Sequence, residues 1–188
     1  MVEEIFIAGA GGQGVLALGK ALALSAVEQG LYVTYYPSYG AEVRGGTANC
    51  TVIISDREIA SPTVSKAKSL LVLNAPSFLK FLPKLVSDGL LIVNSSLVDI
   101  SKNANDLTNK VSKVIQIPAT AIAKKIGDIR CTNMVMLGVY TEVKRIISSE
   151  NVIKVIRNIF SKKQDVANLN IKAFKEGLSY ETEKSKNS

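Results

Sequence analysis

The chain has 188 residues, 47% of them hydrophobic and 21% charged, with a formal net charge of +7 at neutral pH. A chain of this length suits one domain and buries roughly 70% of its unfolded surface, so a core needs no disulfide or structural metal. It contains no histidine and only two cysteines, Cys50 and Cys131, which excludes Ser-His-Asp and Cys-His nucleophiles, histidine-based metal sites and a four-thiolate iron–sulfur cluster held by this chain alone.

In chain order, Glu4–Ala8 is a short apolar run ending in glycine, the pattern of a buried parallel strand. Helical character starts near Gly12 and runs to Gln29. Gln13, Lys20 and Glu28 form a narrow polar stripe, so most of the helix surface packs inward, and Gly30 supplies the stop. Leu31–Tyr36 is rich in β-branched and aromatic residues and reads as a second strand. Pro37–Gly46 reads as a loop and Thr47–Ser55 as a strand. Asp56-Arg57 then turns into a short Glu58-Ile59-Ala60 arm, a hairpin inserted where a crossover helix would normally sit.

Regular alternation resumes with a strand at Ser69–Leu73, a helix opened by Pro76 and a strand at Leu90–Val93. Val98–Asn109 is polar and weakly periodic, a loop with a little helix. Lys113–Ile117 is the last strand, ended by Pro118, and Ala119–Ile126, Asn133–Ser148, Val152–Phe160 and Gln164–Gly177 read as helices. These elements predict an α/β fold: a Rossmann-like, mostly parallel sheet with helices on both faces and an inserted β-hairpin. Residues 1–180 form one domain, and residues 181–188, small, polar and charged, form a flexible tail.

Ten Lys/Arg stand against five Asp/Glu between Lys144 and Ser188. Without an aromatic-interleaved basic run this reads as solvated helix faces, and no nucleic-acid partner is expected. Ile5–Val27 is apolar, but its glycines, Gln13 and Lys20 argue against a membrane span. With two distant cysteines and no secretory pattern, the expected compartment is the cytoplasm.

Gly9, Gly11 and Gly14 fit G-x-G-x-x-G directly after a strand and at a helix start. Gly9 would permit the turn, Gly11 would admit a ligand to the backbone, and Gly14 would allow close helix–sheet packing. The amides of Gly11, Gly12 and Gly14, with the Gln13 side chain as a further donor, could hold an anion. A glycine turn needed only for packing is the plainer alternative. An NAD-binding domain would end its second strand in Asp or Glu to take the ribose hydroxyls. The stretch Val33-Thr34-Tyr35-Tyr36-Pro37 has no acid there. Instead Arg44, between Ser38, Tyr39, Gly45, Gly46 and Thr47, offers a guanidinium fork for phosphate or carboxylate. Asn74 and Asn94 follow two of the apolar strands on the same rim as Gly9 and Ser38, which makes them second-tier site candidates, although each alone reads as a cap or turn former. No paired carboxylates or other self-sufficient catalytic set stands out.

The segments Gly9-Ala-Gly-Gly-Gln-Gly14 and Ser38-Tyr-Gly-Ala-Glu-Val-Arg-Gly-Gly-Thr-Ala48 resemble the gamma subunit of 2-oxoacid:ferredoxin oxidoreductases. So do Val52–Ser55, Glu58–Pro62, Thr132–Gly138 and Asn170–Gly177, in order along nearly the whole chain. The resemblance implies an enzyme that decarboxylates a 2-oxo acid on thiamine diphosphate, passes electrons through iron–sulfur clusters to ferredoxin and leaves the acyl group on coenzyme A. Thiamine diphosphate and clusters would belong to alpha, beta and delta-type partner subunits, and ferredoxin would be reached through them. This chain would complete the complex, bind no cofactor by itself, present an apolar patch to its partners, and share in a coenzyme A site through Gly11–Gly14 and Arg44. Pyruvate, 2-oxoglutarate, branched-chain and indolepyruvate types all fit. The overall likeness leans slightly to 2-oxoglutarate, but no residue here decides among them. A stand-alone NAD(P)- or flavin-binding reductase and a non-enzymatic anion-binding module are the rival readings.

Overall fold

The computed structural model describes residues 1–39, 47–103 and 111–186, with side chains for all of these except residues 39, 102–103 and 181–186. The apolar runs become a six-stranded sheet. Its strands are β1 (Val2–Ala10), β2 (Tyr32–Tyr39), β3 (Thr47–Ser55), β4 (Ala67–Val72), β5 (Leu85–Asn94) and β6 (Lys113–Ile117), in the order β2-β3-β1-β4-β5-β6. β1, β4, β5 and β6 run parallel, and β3 is antiparallel to both β1 and β2. Ile5, Phe6, Ile7 and Ala8 are all buried, as are Leu90–Asn94. A strand covered on both faces has no polar alternation to show, which is why these runs read as continuous.

Helices cover both faces. On one, α1 (Val15–Glu28), α4 (Ala119–Ile126), α5 (Thr132–Lys144), α6 (Ser149–Ile159) and α7 (Gln164–Lys186) bury Ile5, Ile7, Val52, Leu71, Ile92 and Ile115. On the other, α2 (Ala75–Phe81) packs Phe78 and Phe81 against Phe6, Leu70 and Leu91, with the Phe6 and Phe81 ring centroids 4.9 Å apart. Each such fully buried side chain contributes about 1.5–3 kcal/mol relative to exposure. A short α3 (Ile100–Asn103) follows β5.

The inserted hairpin is present, but its arms differ from the expected pair. They are β2 and β3, registered from Tyr32 opposite Ser55 to Tyr39 opposite Ala48, while Glu58-Ile59-Ala60 forms no strand. The reason is hydrogen-bonding capacity: β3 is paired along one edge by β2 and along the other by β1, so a third arm has no free edge to join. β2 also extends past the expected loop start, carrying Pro37 opposite Cys50. Because β2 is an edge strand, a proline is tolerated there. The remainder of the expected loop, residues 40–46, lies outside the described residues.

Several helix boundaries also moved. The expected helix Asn133–Ser148 stops at Lys144, where Arg145 takes φ +50°. Ser148 instead caps α6, which starts at Ser149 rather than Val152, by accepting from Asn151 N–H. α1 begins at Val15, after the glycine turn, and ends in a paired closure in which Leu31 N–H reaches Ala26 O and Gly30 N–H reaches Val27 O. α7 continues through Gly177 to Lys186, where a stop at the glycine had been expected. Gly177 lies mid-helix because it touches another helix there, not because the helix ends.

Candidate functional site

At the carboxyl ends of the strands, β1 leaves the sheet at Ala10 and the chain closes a turn. Gln13 N–H donates to Ala10 O at 3.2 Å, and the Gln13 side-chain Oε1 accepts from Ala10 N–H at 2.7 Å. Gly12 sits at the third position of that turn with φ +90°, the geometry that favours glycine. Gln13 is thus a brace of the loop: its oxygen is committed to Ala10 and does not face a ligand. Gly11 and Gly12 are exposed at the tip.

The other two glycines have roles different from those expected of them. Gly9 is still inside β1, opposite Ala48, and a Cβ there would lie 2.8 Å from both Gln13 Oε1 and Val15 Cγ2. It makes room for the returning loop; the turn itself is at Gly12. Gly14 has φ +73°, and a Cβ there would lie 2.4 Å from Asn133 Nδ2, whose amide donates to Gly14 O at 3.1 Å. The close approach at Gly14 is therefore to α5, not to the sheet.

That contact shapes a cleft of about 720 Å³ beside the loop, bounded by Gly12 and Gly14, the start of α5 and the α6–α7 turn. Three helix amino termini open toward it, those of α1, α5 and α7. α1 has no side-chain cap, which leaves first-turn amides and the positive end of its dipole at the cleft, whereas amides at the start of α5 are taken, Thr132 N–H by Ile129 O and Met134 N–H by Asn133 Oδ1. Arg130, Lys162 and Lys163 line it, with Asp128 as a carboxylate. Lys162 and Lys163 stand just ahead of α7, against the usual preference of a helix start for anions. Such a cluster of positive potential has the donors and charge to hold an anion such as a phosphate.

Asp128 and Arg130 form a pair at the rim. The Arg130 hydrogen bonds hold the Asp128 carboxyl below its usual range, and Asp128 raises the Arg130 guanidinium in turn. The Cys131 thiol, also lining the cleft, is pushed up by burial and then by the Asp128 charge, so it stays protonated and unreactive near neutral pH.

Of the second predicted segment, Arg44, Gly45 and Gly46 lie outside the described residues. Ser38 and Tyr39 end β2 opposite Asn49 and Ala48, and Thr47 opens β3 opposite Ala10. The hairpin thus brings Thr47 directly beside the glycine loop. Lys80 of α2 donates to Thr47 Oγ1 at 3.3 Å, adding a cation that the sequence did not single out. Asn74 caps α2 by accepting from Ser77 N–H at 3.0 Å. Asn94 is buried, donating to Leu73 O and Thr120 Oγ1 and accepting from Thr120 N–H. Both asparagines are structural.

The missed residues are Asp128, Arg130, Asn133, Lys162 and Lys163. The lysine pair preceding a helix was the available cue; the others are far from Gly12 in sequence. A smaller cleft of about 540 Å³ at the opposite rim mixes Lys68, Lys113 and Lys144 with Glu4 and Asp88 and has no glycine loop. The dinucleotide reading also weakens, since β3 lies between β1 and β2 and moves the end of β2 one strand away from the loop.

A family model described as pyruvate ferredoxin/flavodoxin oxidoreductase matches residues 4–180. The chain is 35% identical over 178 residues to ketoisovalerate oxidoreductase subunit VorA of Methanothermobacter marburgensis, covering 94% of this chain and 36% of that relative. It therefore spans about a third of the length of that protein. It is also 35% identical over 179 residues to 2-oxoglutarate synthase subunit KorC of the same organism, covering 94% of this chain and 95% of KorC. Among solved structures, a keto/oxoacid ferredoxin oxidoreductase gamma subunit from Geobacter sulfurreducens superposes with a TM-score of 0.74 at 29% identity, over 94% of this chain and 96% of that one. The fold also matches 2-oxoglutarate:ferredoxin oxidoreductase from Magnetococcus marinus, solved with 2-oxoglutarate, coenzyme A and succinyl-CoA bound. There the TM-score is 0.85 at 24% identity, over 95% of this chain and 30% of the other.

Proposed function

We propose, from the premise that the chain belongs to the pyruvate ferredoxin/flavodoxin oxidoreductase family, that it is the gamma-type subunit of a 2-oxoacid:ferredoxin oxidoreductase and supplies part of its coenzyme A site. The enzyme would oxidatively decarboxylate a 2-oxo acid and leave the acyl group on coenzyme A. The single observation that carries the coenzyme A assignment is the convergence of the glycine loop, three helix starts and Lys162–Lys163 on one cleft. Coenzyme A carries a diphosphate and a 3′-phosphomonoester, and this cleft has the donors for such groups. Gly12 would let the ligand reach the loop amides, the lysines would neutralise it, and Arg44 would add a fork.

An iron–sulfur cluster fits poorly on this chain, and thiamine diphosphate is left with it to the partner subunits. Cys50 and Cys131 are both buried and two thiols fall short of a cluster, while no group of three or more metal-ligating side chains occurs among the described residues. Those groups are assigned to alpha, beta and delta-type partners, with ferredoxin docking there too. VorA, three times as long as the match, supports the idea that this module works against further domains. No helix among the described residues is long and apolar enough to cross a membrane, which fits the proposed cytoplasmic setting.

The test is purification of the tagged chain with identification of what accompanies it, followed by assay of 2-oxo-acid-dependent ferredoxin reduction. Co-purified thiamine- and cluster-bearing subunits with that activity support the assignment. A solitary chain that binds a nicotinamide or flavin tightly overturns it.

A further inference from the structure

Arg130 is held on one edge only. Its Nε donates to both Asp128 carboxylate oxygens at 3.0 Å and its Nη2 donates to Oδ2 at 2.7 Å, while Nη1 makes no hydrogen bond to a described residue. A guanidinium presents two bidentate edges, Nε with Nη2 and Nη1 with the second Nη2 hydrogen. Asp128 occupies the first and leaves the second free.

Asp128 is itself anchored. Its Oδ1 accepts from Arg130 N–H at 2.9 Å, capping the turn Ile129–Cys131, and its side chain is 18% exposed against 82% for Arg130. An exposed pair of this kind adds little to folding stability. What it does is fix the direction of a side chain that water would otherwise leave free among rotamers. Arg130 lines the same cleft as Gly12, Lys162 and Lys163.

We propose that Asp128 is a positioning residue that presets Arg130 to receive a phosphate group on its Nη1/Nη2 edge. This rests on the reading that the cleft takes the phosphates of coenzyme A. The loop amides at the floor suit the diphosphate, and Arg130 at the rim suits the terminal 3′-phosphomonoester, whose two negative charges a fork matches.

The experiment uses the assembled enzyme purified through the tagged chain, with KM for coenzyme A and kcat measured separately, and urea midpoints as a folding control. Arg130→Gln is expected to raise KM about tenfold with kcat nearly unchanged, the usual loss for a charge-assisted hydrogen bond. Asp128→Ala is expected to raise KM severalfold. Asp128→Asn, which retains an oxygen for Nε and the backbone cap, restores KM close to wild type. A carboxylate that merely repelled phosphate would give the opposite sign, so an unchanged or lower KM in Asp128→Ala overturns the proposal, as does an unaffected Arg130→Gln. With dephospho-coenzyme A, a vanishing Arg130→Gln effect identifies the 3′-phosphate and a persistent one the diphosphate; either supports the clamp. The double variant Lys162→Gln/Lys163→Gln separates the two levels. If it raises KM while Arg130→Gln does not, only the clamp is wrong; if neither does, the cleft assignment falls and the clamp with it.

Discussion

Gly138 of α5 and Gly177 of α7 meet backbone to backbone. A Cβ on Gly138 would lie 2.1 Å from Phe174 O, and one on Gly177 would lie 2.1 Å from Val135 O. The obstacle is main chain in both cases, so no rotamer change relieves it. α5 is buried from Thr132 to Thr141, and its first turn places Asn133 against Gly14. The glycine crossing therefore sets the depth at which α5 sits, and with it one wall of the cleft.

Gly138→Ala and Gly177→Ala should each destabilise the chain by about 2–3 kcal/mol or more. Alanine gains about 1 kcal/mol in helix propensity, but overpacking against a backbone outweighs it. Urea unfolding of the two variants measures this, and a change under about 0.5 kcal/mol, typical of a surface site, would mean that the helices cross elsewhere.

At the far end of α5, Lys144 pairs with the buried Glu3 at 2.9 Å, while Ser69 Oγ donates to the other Glu3 oxygen at 2.6 Å. Lys144→Ala strands a carboxylate that only the serine then serves, and the expected cost is about 3 kcal/mol. Glu3→Gln combined with Lys144→Ala should recover part of that loss. Equal stability of the single and double variants would show that water already solvates Glu3.

Burial pushes the Cys50 thiol from 9.0 up to about 12. The folded state then keeps this proton where the unfolded chain releases it. The contribution is complete below about pH 9 and falls by about 1.4 kcal/mol per pH unit as pH rises toward 12. Cys50→Ala should flatten the alkaline decline of unfolding free energy relative to wild type. Parallel pH profiles for the two proteins would contradict the burial argument.

Arg44→Ala should raise KM for coenzyme A several-fold without altering assembly, as expected for loss of one charged hydrogen-bonding partner. An unchanged KM in an intact complex removes Arg44 from the site and leaves the Gly12–Gly14 cleft to act without it.

Most of the sheet was legible in the sequence because its signals are local. Thr47–Ser55 and Lys113–Ile117 were read with their observed bounds, as was the helix Ala119–Ile126. The Glu58–Ala60 arm was misread because strand pattern does not reveal whether a partner edge is free, and both edges of β3 were taken. The end of α7 was misread because a glycine that stops a helix looks like one that admits a neighbouring backbone. The glycine loop was found, yet Gly9 makes room for Gln13 and Val15, Gln13 braces Ala10 and Gly14 admits Asn133, roles that the spacing of the glycines does not reveal.

The sequence by itself determined the fold class and the strand–glycine–helix loop, since each follows from residue type and local period. Only the tertiary structure decided which cations the loop would work with. Arg130 and Lys163 reach the cleft because α5 and α7 cross at Gly138 and Gly177 and carry their amino termini back to Gly14. That is a long-range packing outcome, set by backbone distances that no single stretch of the chain encodes.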